Sequence, residues 1–262
     1  MTTPSPVFIS TPHEGICLIT LNRPEKRNAL DGALIQQWTT LFDKIESDAS
    51  IRLVLLNANG EHFCAGADIA WMQKMARASH EENISDALQL ARLLQSIQHC
   101  SKPVIGLVQG AIMGGGLGVI ACCDMVIAAT NAVFCFSEVK IGLTPSVISP
   151  FVVPIIGERA ARYYFLTAEK FNAEKAMALN LVQQIVPLEK LMDAGLALAK
   201  TCLSNSPHAL SEVKKLLSSL SNETVIGNIT KFTANHLAKM RASSEAKEGL
   251  NAFLEKRNPI WK

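Results

Sequence analysis

Three short segments carry the residues able to do chemistry. Two are small-residue turns, Phe63-Cys64-Ala65-Gly66-Ala67-Asp68-Ile69 and Gly110-Ala111-Ile112-Met113-Gly114-Gly115-Gly116-Leu117-Gly118. The third is Glu138, set between the apolar Val133-Phe134-Cys135-Phe136 and Val139-Lys140-Ile141-Gly142. Small residues let a backbone approach a ligand closely. A turn that opens a helix leaves N–H groups without acceptors, which suits an oxyanion or a phosphate. One N–H from each loop can hold a carbonyl oxygen as it becomes an oxyanion, and one such donor contributes roughly 3–4 kcal/mol in the transition state. A hole of this kind serves enolates in general and does not name the reaction. The plainer readings are a strand-to-helix turn capped by Asp68 and close helix packing through glycine. A carboxylate at the end of a buried strand is costly unless it is paired or used. Apolar neighbours raise the pKa of Glu138 and make it a better proton carrier near neutrality. The structural alternative for Glu138 is an ion pair with Lys140 or an arginine.

Other chemistries find little support. Gly116, Gly118 and Ala121, with Glu138 twenty residues after Gly118, fit a relaxed dinucleotide fingerprint. That fingerprint opens the helix of a first strand–helix–strand unit. Here Gly118 lies inside the predicted helix, and more than a hundred residues precede it. No GxxxxGK[ST] loop or GxSxG elbow is present. His13, His62, His80, His99, His208 and His236 form neither HExxH nor a Cys/His set of zinc spacing, so no metal is expected. Asp124, after Cys122 and Cys123, reads as a structural acceptor of loop N–H groups.

The elements that must position these residues follow from the hydropathy pattern. Strands are predicted at Val7–Ser10, Ile16–Leu21, Ile51–Leu56, Val104–Val108, Met125–Ala128 and Val133–Phe136. A helix capped by Asp31 carries Leu34, Ile35, Trp38, Leu41, Phe42 and Ile45, and a second carries Ile84, Ala87, Leu88, Ala91, Leu94 and Ile97. The order is one of repeated strand–strand–helix units, an α/β core. From Pro145 the pattern is almost wholly helical, ending in a long stretch from Ile226 to Leu254. The expected division is a core over residues 1–200 and a helical oligomerisation region over residues 201–262. Its apolar Ile226, Ile229, Phe232, Leu237, Met240 and Phe253 exceed what a solvated helix needs.

Composition bounds the class. The 262 residues are 48% hydrophobic and 18% charged, with a formal net charge of +2. That excludes general disorder and gives no reason to expect nucleic acid. Six per cent aromatic residues argues against a base-stacking surface. The seven cysteines, an odd number without a CxxC pair, read as free thiols in a reducing compartment. Met1–Pro12 lacks the basic patch and apolar run of a signal peptide. The apolar run from Val104 to Ala129 carries Gln109, Asp124 and several glycines and reads as strand, loop and helix, not as a membrane span. A cytoplasmic protein without a membrane partner is expected.

The two loops and Glu138, in this order, resemble the crotonase (enoyl-CoA hydratase/isomerase) superfamily. Leu21-Asn22-Arg23-Pro24-Glu25-Lys26-Arg27-Asn28-Ala29-Leu30 is similar to that family's N-terminal motif, and Glu248 to Arg257 to its C-terminal helix. The resemblance covers essentially the whole chain. It implies a spiral of strand–strand–helix turns followed by a helical trimerisation region. It also implies trimers or hexamers, an acyl-CoA thioester as substrate, and no cofactor beyond the coenzyme A of the substrate. Matched residue to residue, the oxyanion hole falls to the N–H groups of Ala67 and Gly115. Ala65, Ala67, Asp68 and Ile69 then line the coenzyme A path, with Ala29 beside them. Lys26 and Arg27 stand where the family meets the phosphates. Phe253 and Lys256 match a helix that reaches coenzyme A, in some members from a neighbouring subunit.

One departure matters. Of the two catalytic glutamates of typical hydratases, the second matches Glu138 and the first falls at Gly118, a substrate-site position without a side chain. Glu138 alone, through one water, can deliver hydroxide to C3 and a proton to C2. A single glutamate is also the pattern of enoyl-CoA isomerases. The segments Phe136 to Pro150 and Gly157 to Phe165 resemble a bacterial branch assigned to methylglutaconyl-CoA or related branched hydration, in leucine or acyclic-terpene breakdown. There the missing side chain at Gly118 is expected to leave room for a branched acyl group. Hydration is the leading expectation and isomerisation the alternative. A coenzyme A- or RNA-binding homologue without turnover is the non-enzymatic one, against which the intact loops and Glu138 count.

Overall fold

A computed structural model of the chain describes residues 5–220 and 228–261. Strand β1 (Val7–His13) runs antiparallel to β2 (Ile16–Leu21). β3 (Leu53–Ala58), β4 (Val104–Val108), β6 (Met125–Ala129) and β9 (Gln184–Val186) add in parallel, giving a six-stranded sheet of order β1-β2-β3-β4-β6-β9. A three-stranded sheet of order β5-β7-β8 holds β5 (Ala111–Met113), β7 (Val133–Cys135) and β8 (Phe171–Asn172). Consecutive strands β4 and β5 thus enter different sheets before α4 (Gly115–Ala121), and β6 and β7 repeat the step. These are the expected strand–strand–helix turns. β5 was hidden in the sequence because its three residues sit between glycines.

The central strands are covered on both faces, which explains why β4 reads as an unbroken apolar run. Successive side chains alternate across a strand. Val54, Leu56, Val104, Val108, Val126 and Ala128 join the larger core with α1 (Gly32–Ser47), α3 (His80–Gln98) and α4. Leu53, Leu55, Ile105, Leu107 and Ile127 join a second core under α8 (Leu191–Leu203). The expected division at residue 200 falls inside α8, whose Leu191, Ala199 and Cys202 belong to that core.

Asp31 caps α1 by accepting from Leu34 N–H, and all six apolar residues of the α1 stripe are buried. In α3 the capping box of Ser79 and Glu82 sets the start. Leu93, Leu94 and Ile97 are buried there, whereas Ile84 and Leu88 are 48% and 62% exposed. Periodicity placed those two on the core face, but the N-terminal half of α3 stands off the core.

Asp124 plays the structural part expected of it. It accepts from Val104 N–H at 2.7 Å and from Lys214 Nζ at 2.6 Å, tying β4 and the end of α4 to α9 (Pro207–Leu220). The long C-terminal stretch is two helices, α10 (Ile229–Ala242) and α11 (Ser244–Leu254). The break is at Ser243, whose Oγ accepts from Ala246 N–H and caps α11. Ile229, Leu237 and Phe253 are exposed, Phe232 and Met240 partly so, and Ile226 lies outside the described residues. Among the described residues no helix is long and apolar enough to cross a membrane.

Candidate active site

The first small-residue loop is held between the N-terminal motif and the second loop. Asn28, buried, accepts from Arg23 N–H at 2.7 Å and donates to Asn59 O at 2.9 Å and His62 O at 2.8 Å. Ala65 N–H donates to Arg27 O, Leu30 N–H to Gly66 O, and Asp68 N–H to Leu30 O. In this strand-like pairing of Leu30 with Ala67, the groups flanking Ala67 face Leu30. Alternation turns the Ala67 N–H to the other side. It donates to no backbone or side-chain acceptor among the described residues.

The second loop is sewn to the first by Phe63 N–H to Gln109 O, Cys64 N–H to Ala111 O and Met113 N–H to Cys64 O. His62 Nδ1 adds an acceptor for Ala111 N–H at 3.2 Å. Gly114 N–H bonds to Cys135 O at 3.2 Å, and α4 starts at the next residue. The first donors of a helix have no partner within it. Gly115 N–H, the first of α4, finds no acceptor among the described residues.

Ala67, Gly115 and Glu138 line one cavity of about 180 Å³, with Leu30, Trp71, Leu90 and the segment Thr144 to Ile148 forming other walls. Glu138 opens a 3-10 turn, Glu138–Ile141, after β7, Phe136 and Ser137. It makes no ion pair among the described residues, with Lys140 or with any arginine. Its Oε2 is buried without a hydrogen-bond partner. Burial pushes its carboxyl above the usual glutamate value. Gly114 takes φ +46°, and a Cβ there would stand 3.2 Å from Glu138 Oε1. The turn that presents the Gly115 N–H therefore abuts the carboxylate itself.

The space beside Gly118 is not open. Gly118 is buried in α4, and a Cβ at this position would lie 2.5 Å from Ile148 Cγ2 and 3.3 Å from Leu94 Cδ1. The room expected for a branched acyl group is filled by Ile148.

The remaining sequence candidates fall into two sets. Lys26, Arg27, Ala29, Ala65, Asp68 and Ile69 do not line the cavity themselves but flank its Leu30 and Ala67 in the chain. Asp68 caps α2 (Ile69–Met75) by accepting from Trp71 N–H. It also pairs with Lys26 at 2.8 Å and Arg23 at 3.4 Å. The Lys26 hydrogen bond, more than any other contact, holds its carboxyl below the usual range. Arg27 is exposed, Ile69 is 75% exposed and Ala29 is buried. Phe253, 80% exposed, and Lys256, just past α11, do not line the cavity. Sequence reasoning missed Trp71, Leu90 and Ile148, because apolar residues on two helices and a turn give no sign that they share a wall. It also missed Asn28 as the peg of the first loop, for which a buried asparagine inside the N-terminal motif was the available signal. Among the described residues no cluster of three or more His, Cys, Asp and Glu could hold a metal ion.

Glycine-rich loops sewn together on a spiral of strand–strand–helix turns, with a carboxylate on the following turn, define the crotonase class of enzymes. A family model described as enoyl-CoA hydratase/isomerase matches residues 11–262, and the chain belongs to that family. It is 31% identical to a crotonyl-CoA hydratase of Syntrophomonas wolfei over 93% of each chain. It is also 31% identical to a mevalonyl-coenzyme A hydratase of Aspergillus fumigatus, over 98% of this chain and 94% of that one. The crystal structure of an enoyl-CoA hydratase from Shewanella pealeana superposes with a TM-score of 0.93 at 42% identity, covering 98% of this chain and 96% of that one.

Proposed function

We propose that this protein adds water across the double bond of a short 2-enoyl-CoA thioester. The observation that carries the reading is Glu138, half-buried with its Oε2 enclosed and without a hydrogen-bond partner, in the same cavity as two N–H donors that have no acceptor of their own among the described residues. The thioester oxygen sits against the N–H groups of Ala67 and Gly115. Glu138 takes a proton from water as the oxygen adds to C3. The electron pair of the double bond moves through C2 onto the thioester oxygen, where the two N–H groups stabilise it. The protonated Glu138 then gives the proton to C2, which returns the carbonyl. Water is consumed, and Glu138 ends as it began. The modest cavity of about 180 Å³ supports a short acyl chain. The Syntrophomonas and Aspergillus relatives, both hydratases, support hydration.

Lys26 and Arg27 are assigned to the coenzyme A phosphates, and Ala29, Ala65, Asp68 and Ile69 to its path. Phe253 and Lys256 are assigned to a neighbouring copy's coenzyme A in a trimer or hexamer. The exposed Leu237, Leu250, Phe253 and Leu254 support such an assembly. A branched, methylglutaconyl-like acyl group draws support from Thr144 and Ser146, two cavity-lining residues whose hydroxyls, hydrogen-bonded to each other, are of a kind that suits a second carboxylate. Isomerisation is the second reading, because one carboxylate suffices to move one proton between C2 and C4.

The test is a panel of acyl-CoA esters followed by the absorbance of the conjugated thioester. Hydration removes that absorbance from a 2-enoyl ester; isomerisation creates it from a 3-enoyl ester. Creation without any removal would overturn the hydratase reading.

The pH dependence follows from the burial of Glu138. As the base it must be ionised, so kcat/KM falls as pH drops through its pKa, which burial raises above the ordinary 4.5. The acidic limb is therefore expected above 4.5, and a limb at or below that value would contradict the assignment.

A further inference from the structure

We propose that Ile148 is the specificity-determining residue of the acyl cavity, a wedge seated on the bare backbone of Gly118; this rests on the acyl-CoA reading above. Ile148 is 3% exposed and borders two spaces at once. On one side its Cγ2 and Cβ come within 2.5 and 3.1 Å of where a Cβ at Gly118 would stand. On the other it lines the cavity that holds Glu138, Ala67 and Gly115. Its backbone is fixed, because its carbonyl accepts from Phe151 N–H and Val152 N–H as α5 (Ser149–Ile156) begins.

The missing side chain at Gly118 is therefore the seat of Ile148 and not spare volume for substrate. Interiors are packed closely enough that a change of one methylene is felt. Two consequences follow. A shorter side chain at 148 joins the Gly118 seat to the cavity and admits bulkier acyl groups. A side chain at 118 drives Ile148 into the cavity and excludes even short ones. The ligand class set by the native pair is thus a short-chain 2-enoyl thioester.

One methylene in an apolar pocket changes selectivity by roughly 10- to 200-fold. The experiment compares kcat/KM for crotonyl-CoA, 3-methylcrotonyl-CoA and 2-octenoyl-CoA across the full-length wild type, Ile148→Val, Ile148→Ala, Gly118→Ala and the double variant Gly118→Ala/Ile148→Ala. Ile148→Ala is expected to raise the ratio of a bulkier ester to crotonyl-CoA by about tenfold or more, and Ile148→Val by part of that. Gly118→Ala is expected to lower kcat/KM on all three esters by about tenfold or more, with most of the loss recovered in the double variant, since residues in contact are not additive. Ile148→Val, which removes a single carbon, keeps the test decisive should the alanine variants fold poorly. Crotonyl-CoA turned over by every variant with both ratios within about twofold of wild type would overturn the proposal. So would a double variant no better than Gly118→Ala. Absence of turnover by the wild type on all three esters is a different result: it sinks the hydratase reading and this inference with it.

Discussion

Glu138→Gln is expected to lower kcat on the best acyl-CoA ester by about 100- to 10,000-fold, the usual contribution of one positioned proton carrier. The loss should lie at the upper end or beyond, because a single group takes the proton from water and returns it to C2. Glutamine keeps the shape of the side chain and cannot accept the proton. Binding of the coenzyme A ester should survive, since the N–H groups of Ala67 and Gly115 are untouched. The fold should survive too. A carboxyl whose pKa is raised by folding binds more protons in the folded state than in the unfolded one. It therefore removes stability as pH rises from 4.5 through its folded value, and the loss is complete above that value. Glutamine has no charge to bury, so the midpoint of thermal unfolding at neutral pH should not fall below wild type. Stopped turnover with intact melting and intact ester binding would separate chemistry from folding. Retention of about a tenth or more of wild-type turnover would show that Glu138 is not the sole proton carrier.

Gly114→Ala is expected to have the second-largest effect, and through geometry alone. Position 114 has φ +46° and ψ −115°, which glycine adopts freely and alanine does not. Holding a residue in such a region costs about 1–3 kcal/mol, so the turn should relax away from it. The new Cβ would also stand 3.2 Å from Glu138 Oε1. The variant thus displaces the Gly115 N–H and the carboxylate together. Loss of one oxyanion donor costs about 10²–10³ in kcat, and the expected drop is at least that. It should appear in kcat more than in KM, because the oxygen is held most strongly when it carries charge. A kcat within about fivefold of wild type would mean that the turn at Gly114 does not position the reacting groups.

Much of this site was legible because its chemistry lies in backbone, glycine and one acid. Gly66–Ala67 and Gly114–Gly115 announce themselves as turns between an apolar strand and an apolar helix, and the structure places Ala67 and Gly115 in one cavity with Glu138. The α1 stripe was equally plain, since six apolar residues at helical spacing have only one way to face the core. What escaped was tertiary. Ile148 reaches Gly118 across thirty residues of chain, and no local pattern shows that a side chain on one segment fills the gap left on another. Ile84 and Leu88 share the periodicity of Leu94, yet periodicity marks the apolar side of a helix and not where the neighbour covering it ends. The break at Ser243 was masked by helix-forming residues on both sides, although a serine able to cap the next turn stood there to be read. Asp68 looked like a cap or a ligand contact; its cations, Lys26 and Arg23, arrive only when the N-terminal motif folds over the loop.

The central claim is that water adds at C3 under the control of Glu138. The most direct measurement is incubation of crotonyl-CoA with the enzyme in water enriched in heavy oxygen, followed by mass analysis of the ester. Hydration predicts a product heavier than the substrate by one labelled water, with the heavy oxygen on C3, formed by the wild type and not by Glu138→Gln. An unlabelled ester of unchanged mass, recovered intact or with its double bond moved, would contradict it.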